Sequence, residues 1–149
     1  MEVSTRDLMP LIFSALQRGQ CVRLTVKGGS MRPFIRSGDV VELEPVDRLV
    51  RIGDVVLLKC GSGEEGYVLH RVVRLQGETI FIRGDAQDVA DGPFAQGDVL
   101  GRVTKTYANG RLRQLDRGIW RFLGRAWQRL APLNVWLLRC AHQFRRDQC

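Results

Sequence analysis

A mainly β domain, opened by a short helix and closed by an amphipathic helical tail, is the fold class this sequence predicts. Two observations carry that expectation. Between Cys21 and Tyr107 the apolar residues come in short β-branched runs bounded by glycine, proline and acidic residues, the pattern of strands and turns. Ahead of Cys21, and again beyond Asp116, the apolar spacing changes to three and four, the period of a helix with one buried stripe. The expected organisation is a helix over residues 1–20, a β domain over 21–110 and a basic helical tail over 111–149.

Taken in order, Leu8, Leu11, Ile12, Ala15 and Leu16 fall at helical spacing, and Gly19 is placed to cap that helix. Strands are expected at 22–26, 40–43, 55–58, 68–75, 79–82 and 100–106, with 68–75 and 79–82 forming a hairpin around Gln76-Gly77-Glu78. Asn109-Gly110 marks another tight turn. In the tail, Leu115, Ile119, Phe122, Leu123, Ala126, Trp127 and Leu130 repeat at one helical face, while Arg117, Arg121, Arg125 and Arg129 step down the other. Pro132 interrupts that helix, and a second apolar helical segment is expected over 133–144, broken by Arg139 and too short to span a bilayer. Trp120, Trp127 and Trp136 suit either core anchors or a lipid interface.

With 149 residues, 44% hydrophobic and 26% charged, the chain has the make-up of one globular domain, not of a disordered or low-complexity segment. The formal charge of +7 is mostly a property of the arginine-rich tail, which fits a solvated helix face, an anionic membrane surface or an acidic partner. No helix-turn-helix or RNA-binding signature accompanies it, so nucleic acid is not the expected partner. Cys21, Cys60, Cys140 and Cys149 form no CxxC pair or zinc-like spacing and read as reduced thiols. No metal or cofactor is expected. The first twenty residues carry neither a long apolar run nor a basic start, so the expected location is cytoplasmic, with peripheral contact at the inner membrane face.

The chemistry lies in three segments. Ser30 stands behind Gly28-Gly29 and ahead of Met31-Arg32-Pro33; the glycines allow close backbone approach and the X-Pro step excludes a regular helix, so the hydroxyl is expected on a tight, exposed turn. His70, followed by Arg71-Val72, is the only histidine within the β domain, and a neutral imidazole can take the proton of a serine hydroxyl near neutral pH. The third segment, Gly84-Asp85-Ala86-Gln87-Asp88-Val89-Ala90-Asp91, supplies carboxylates that could orient such a base.

These segments, SMRP, HRV and GDAQDVAD, in that order and with Val99-Leu100-Gly101-Arg102-Val103 closing the set, resemble the boxes of type I signal peptidases of the endoplasmic-reticulum and archaeal branch. The resemblance runs from about Lys27 to Val103 and extends to the self-cleaving repressor proteases, whose β fold it implies. It also implies a Ser-His serine endopeptidase with Ser30 as nucleophile, His70 as general base and Asp91 as orienting acid. Asp85 matches the acid that supports the active-site loop, and Asp88 has no counterpart. Bacterial relatives use a lysine base, and neither Lys27 nor Lys59 occupies that position. Many of them add a serine oxyanion donor two residues before the nucleophile, where this chain has Gly28, so backbone N–H groups are expected to serve. The expected partner is a peptide or protein substrate cleaved in an extended segment. A self-cleaving repressor would need a scissile segment and a DNA-binding domain, neither of which is visible. The reading from a different class is a non-catalytic peptide- or membrane-binding module on the same fold.

Overall fold

The computed structural model describes residues 5–60, 66–130 and 133. Helix α1 (Thr5–Gln17) is followed by strands β1 (Val22–Thr25), β2 (Val40–Glu44), β3 (Val55–Lys59), β4 (Tyr67–Gln76), β5 (Thr79–Arg83) and β6 (Asp91–Ala95). A 3-10 turn, Gln96–Asp98, then leads into β7 (Val99–Ala108), β8 (Arg111–Gln114) and helix α2 (Gly118–Arg129). The strands make one antiparallel sheet in the order β1-β2-β7-β3-β4-β5-β6, with β8 paired to β7. The mainly β class with a helix at each end is the class expected from the residue patterns.

The unbroken apolar run of β3 reflects its place between β4 and β7. Val55 and Leu57 enter one core with Met9, Leu16, Ile35, Leu43 and Val103, whereas Val56 and Leu58 enter a second with Val72, Ile80, Ile82 and Val99. A strand buried on both faces has no need of polar alternation. The hairpins also follow local sequence: Gly77 turns β4 into β5, and Asn109 and Gly110, at φ 50° and 73°, turn β7 into β8.

Two strands escape sequence reading. β6, DGPFA, contains glycine and proline and is mostly exposed, and β8, RLRQ, is almost wholly polar. Each is held by pairing along one edge, to β5 and β7 respectively, which leaves little hydrophobic alternation in sequence. In α1 the inward line is Met9, Ile12 and Leu16, while Leu8 and Leu11 face out. The helix rests on the sheet along a narrower stripe than its apolar content suggests.

The tail differs more. Leu115 is not part of the helix: its N–H bonds the Thr104 carbonyl at 2.9 Å and its side chain is buried in the first core. Helix α2 docks through Trp120, Gly124, Trp127 and Gln128, and turns Ile119, Phe122 and Leu130 outward at 66%, 71% and 56% exposure. Of the predicted stripe, Ile119, Phe122 and Leu130 thus lie on the outer face, while Trp127 points to the core. The reason is local: a Cβ at position 124 would lie 2.6 Å from the Arg71 guanidinium, so glycine lets the helix backbone settle on that group, and the flanking tryptophans then reach the core. The second expected segment, 133–144, and with it Trp136, Arg139, Cys140 and His142, lies outside the described residues apart from Leu133. Among the described residues Cys21 and Cys60 are free and exposed. Among the described residues no helix is long and apolar enough to cross a membrane.

Candidate active site

Ser30 sits on the loop between β1 and β2, where Gly28 adopts φ +90° and Arg32 N–H closes a turn onto the Gly29 carbonyl at 3.2 Å. Met31, Phe34 and Ile35, buried in the first core, pin the loop from below. Its top is pinned by the acidic segment. Ala86 N–H donates to the Ser30 carbonyl at 2.8 Å, and Gly84 passes so close that a Cβ there would lie 2.5 Å from the same oxygen. Gln87 holds this second loop by accepting the Gly84 N–H on Oε1 at 3.0 Å.

Strand β4 carries His70, paired across the sheet with Val56, and leaves the residue 6% exposed. Its Nε2 lies 3.3 Å from Ser30 Oγ, a hydrogen bond between residues 40 apart in sequence. Among the described residues its buried Nδ1 has no hydrogen-bond partner, and Asp91 Oδ2 stands 4.0 Å away. That gap is too long for a direct hydrogen bond but short enough for electrostatic contact. Burial pushes the His70 pKa below the ordinary imidazole value, and the opposing pull of Asp91 and then Asp85 is smaller. Burial therefore favours the neutral ring over the imidazolium. Asp91 opens β6, where its side chain is 57% exposed.

Asp85 lies elsewhere in the network. Its carboxylate takes two hydrogen bonds from Arg71, 2.8 Å from Nε and 2.7 Å from Nη2, with both side chains essentially inaccessible. Gln128 Nε2 adds a third, and Trp127 Nε1 donates to the Asp85 main-chain carbonyl at 2.7 Å. Arg71 also donates to the Gly53 carbonyl at 2.9 Å, and its guanidinium lies over the Phe34 ring. Asp88 is exposed. Asp39 and Asp54 organise local turns, each accepting a main-chain N–H three residues earlier at 2.9 Å, and Asp54 also pairs with Arg48.

The fold thus brings together Ser30, His70 and Asp91, with Asp85 beneath the loop that carries Ser30. From sequence, Arg71 entered only as part of the HRV motif and Trp127 only as a core or interface anchor, with no role in the site, and Gln128 was not named. A buried arginine beside His70 was the available signal, because a charge on an inner strand requires a partner; nothing in the linear pattern pointed to Gln128. Among the described residues no cluster of histidine, cysteine and acidic side chains could hold a metal. Lys27 and Lys59 are exposed, and neither makes a hydrogen bond to Ser30.

Residues 2–104 match the family model described as Peptidase S24-like. The chain belongs to the Peptidase S24-like family. The match supports peptidase chemistry on this β fold and covers α1 and β1 to β6 with β7 as far as Thr104; β8 and α2 of this S24-like chain lie beyond it. No curated protein matches, and no solved structure matches.

Proposed function

We propose that this S24-like protein is a serine endopeptidase of the Ser-His type, resembling signal peptidases in its active site, with Ser30 as nucleophile, His70 as base and Asp91 as orienting acid. The observation that carries the reading is the 3.3 Å approach of His70 Nε2 to Ser30 Oγ. In this scheme Ser30 Oγ attacks the scissile carbonyl while its proton passes to His70 Nε2. The resulting oxyanion is met by backbone donors, for which the Ser30 N–H is the candidate, since among the described residues no backbone acceptor takes it and Gly28 has no side chain to help. The imidazolium then protonates the leaving amine, and water, deprotonated by the same nitrogen, releases the acyl group.

The imidazolium carries a proton on the otherwise unpartnered Nδ1, where the Asp91 charge stabilises it. Distances of 3.3 and 4.0 Å are those of a relaxed site that tightens around substrate. The substrate would be an extended segment of a precursor or leader peptide, cleaved after a small residue as in the signal peptidases. The same reading includes peripheral contact with an anionic membrane through the outer face of α2, where Ile119, Phe122 and Leu130 are exposed beside Arg125 and Arg129. An active-site phosphonylating reagent tests the nucleophile. Labelling mapped by mass spectrometry to Ser30, lost in His70→Ala, is the expected result; peptide cleavage that persists in folded Ser30→Ala would end the proposal.

A further inference from the structure

A cavity of about 250 Å³ is bounded by α2, strands β4 and β5 and the Ile52-Gly53 turn, and Arg71 and Gln128 of the Asp85 network form part of its wall. It is several times the ~30 Å³ share of a water molecule. Among the described residues four arginines line it, Arg71, Arg83, Arg125 and Arg129, with Gln128 beside them and no acidic residue in the wall.

Among the described residues only one of these charges is neutralised by an ion pair. Arg71 is matched by the buried Asp85 carboxylate. Arg83 donates to neutral oxygens, Gln128 Oε1 at 2.6 Å and the Gln128 carbonyl at 2.7 Å; Asp85 and Asp88 act on it through space, yet burial outweighs them and lowers its pKa. The stem of Arg125 lies across Gly53, and neither Arg125 nor Arg129 has a hydrogen bond or ion pair among the described residues. Arg125 and Arg129 are themselves exposed, and guanidiniums that share one cavity repel one another unless an anion sits between them; their planar forks match the oxygens of a phosphoryl group.

We infer that this cavity is a seat for a phosphoryl-type oxyanion, held by Arg83, Arg125 and Arg129. Gln128 links the seat to the candidate active site, since the residue that takes two hydrogen bonds from Arg83 also donates to Asp85. An anion drawing Arg125 and Arg129 inward presses α2 onto β4 and β5 and holds the Asp85 loop, and through Ala86 the Ser30 carbonyl, in place. The binding claim stands without the catalytic reading; its effect on cleavage rests on that reading.

The test is titration of the full chain with inorganic phosphate at constant ionic strength, following the Trp127 indole N–H resonance. A saturable shift that chloride does not reproduce, weakened at least tenfold in Arg125→Gln/Arg129→Gln, is the expected result. Arg129→Gln alone, checked by circular dichroism, serves should the double variant misfold, and is expected to weaken binding severalfold. Vesicles of phosphatidylcholine with and without phosphatidylglycerol separate the two sources of such a group. Co-sedimentation with phosphatidylglycerol that phosphate competes away marks a lipid headgroup, and phosphate binding without co-sedimentation marks a free anion. No saturable shift, an equal response to chloride, or a response unchanged in the folded variants would overturn the site. Phosphate binding with no change in peptide cleavage would leave the seat and remove its link to Ser30.

Discussion

The indole of Trp127 donates to the main-chain carbonyl of Asp85 at 2.7 Å, across 42 residues of sequence. Trp127 lies in α2, beyond the segment matched by the peptidase family model, and Asp85 lies on the loop that holds Ser30. Its ring also meets Phe34, four residues after Ser30, edge-on at a centroid separation of 6.0 Å. One side chain therefore braces both loops of the candidate site.

Trp127→Phe keeps a ring in the core but removes the donor to Asp85. A hydrogen bond of this kind contributes about 0.5–1.5 kcal/mol net, so kcat should fall about two- to tenfold with KM little changed, alongside a lower Tm. Peptide kinetics and thermal denaturation check this; a rise in KM at constant kcat would instead place the indole in substrate binding.

Ser30→Ala and His70→Ala should each reduce cleavage to near background, and the double variant should be no worse than either alone. Residues that act on one proton transfer lose their joint effect once either is gone. Additive losses, measured by single-turnover cleavage, would show that the two residues act separately.

Replacing the two acids should give opposite patterns. Asp91 is exposed, so Asp91→Ala should fold normally while losing activity. Asp85→Ala leaves the buried Arg71 guanidinium without its carboxylate, a loss of about 3–5 kcal/mol when one partner of a buried pair is removed, and should chiefly destabilise. Denaturant melts beside kinetics separate the cases, and Asp88→Ala is the near-neutral control.

The pH profile follows from His70. Only the neutral ring accepts the Ser30 proton, and burial lowers the pKa, so the acid limb of kcat/KM in peptide cleavage should lie below the ordinary imidazole value of about 6.5. Asp91 opposes that shift, hence Asp91→Asn should move the limb further towards acid. For stability the folded pKa lies below the unfolded one, so the unfolded chain takes up the proton first and the fold loses stability as pH falls from about 6.5. A limb well above neutrality that survives His70→Ala would point to a lysine base.

The outer face of α2 gives the last expectation. Phe122→Asp should leave the fold intact, because Phe122 is 71% exposed, and should reduce sedimentation with phosphatidylglycerol vesicles. Unchanged sedimentation would remove this face from the membrane reading.

Strands β2, β3, β4, β5 and β7 could be read from sequence because each buries a β-branched run, which leaves a period of two or an unbroken apolar stretch in the chain. Ser30, His70 and Asp91 stood out for a different reason, their place in short motifs whose order and spacing resemble a known set of boxes. β6 and β8 left no such mark, since one edge-pairing holds each without an apolar face. The tertiary structure alone decided which side of α2 is buried. The apolar stripe was visible in the chain, but docking is set by the absence of a side chain at Gly124 and by polar groups of Trp127 and Gln128 meeting Asp85. Those partners lie more than forty residues away, and a hydrogen bond between distant residues imposes no period on the sequence around either one.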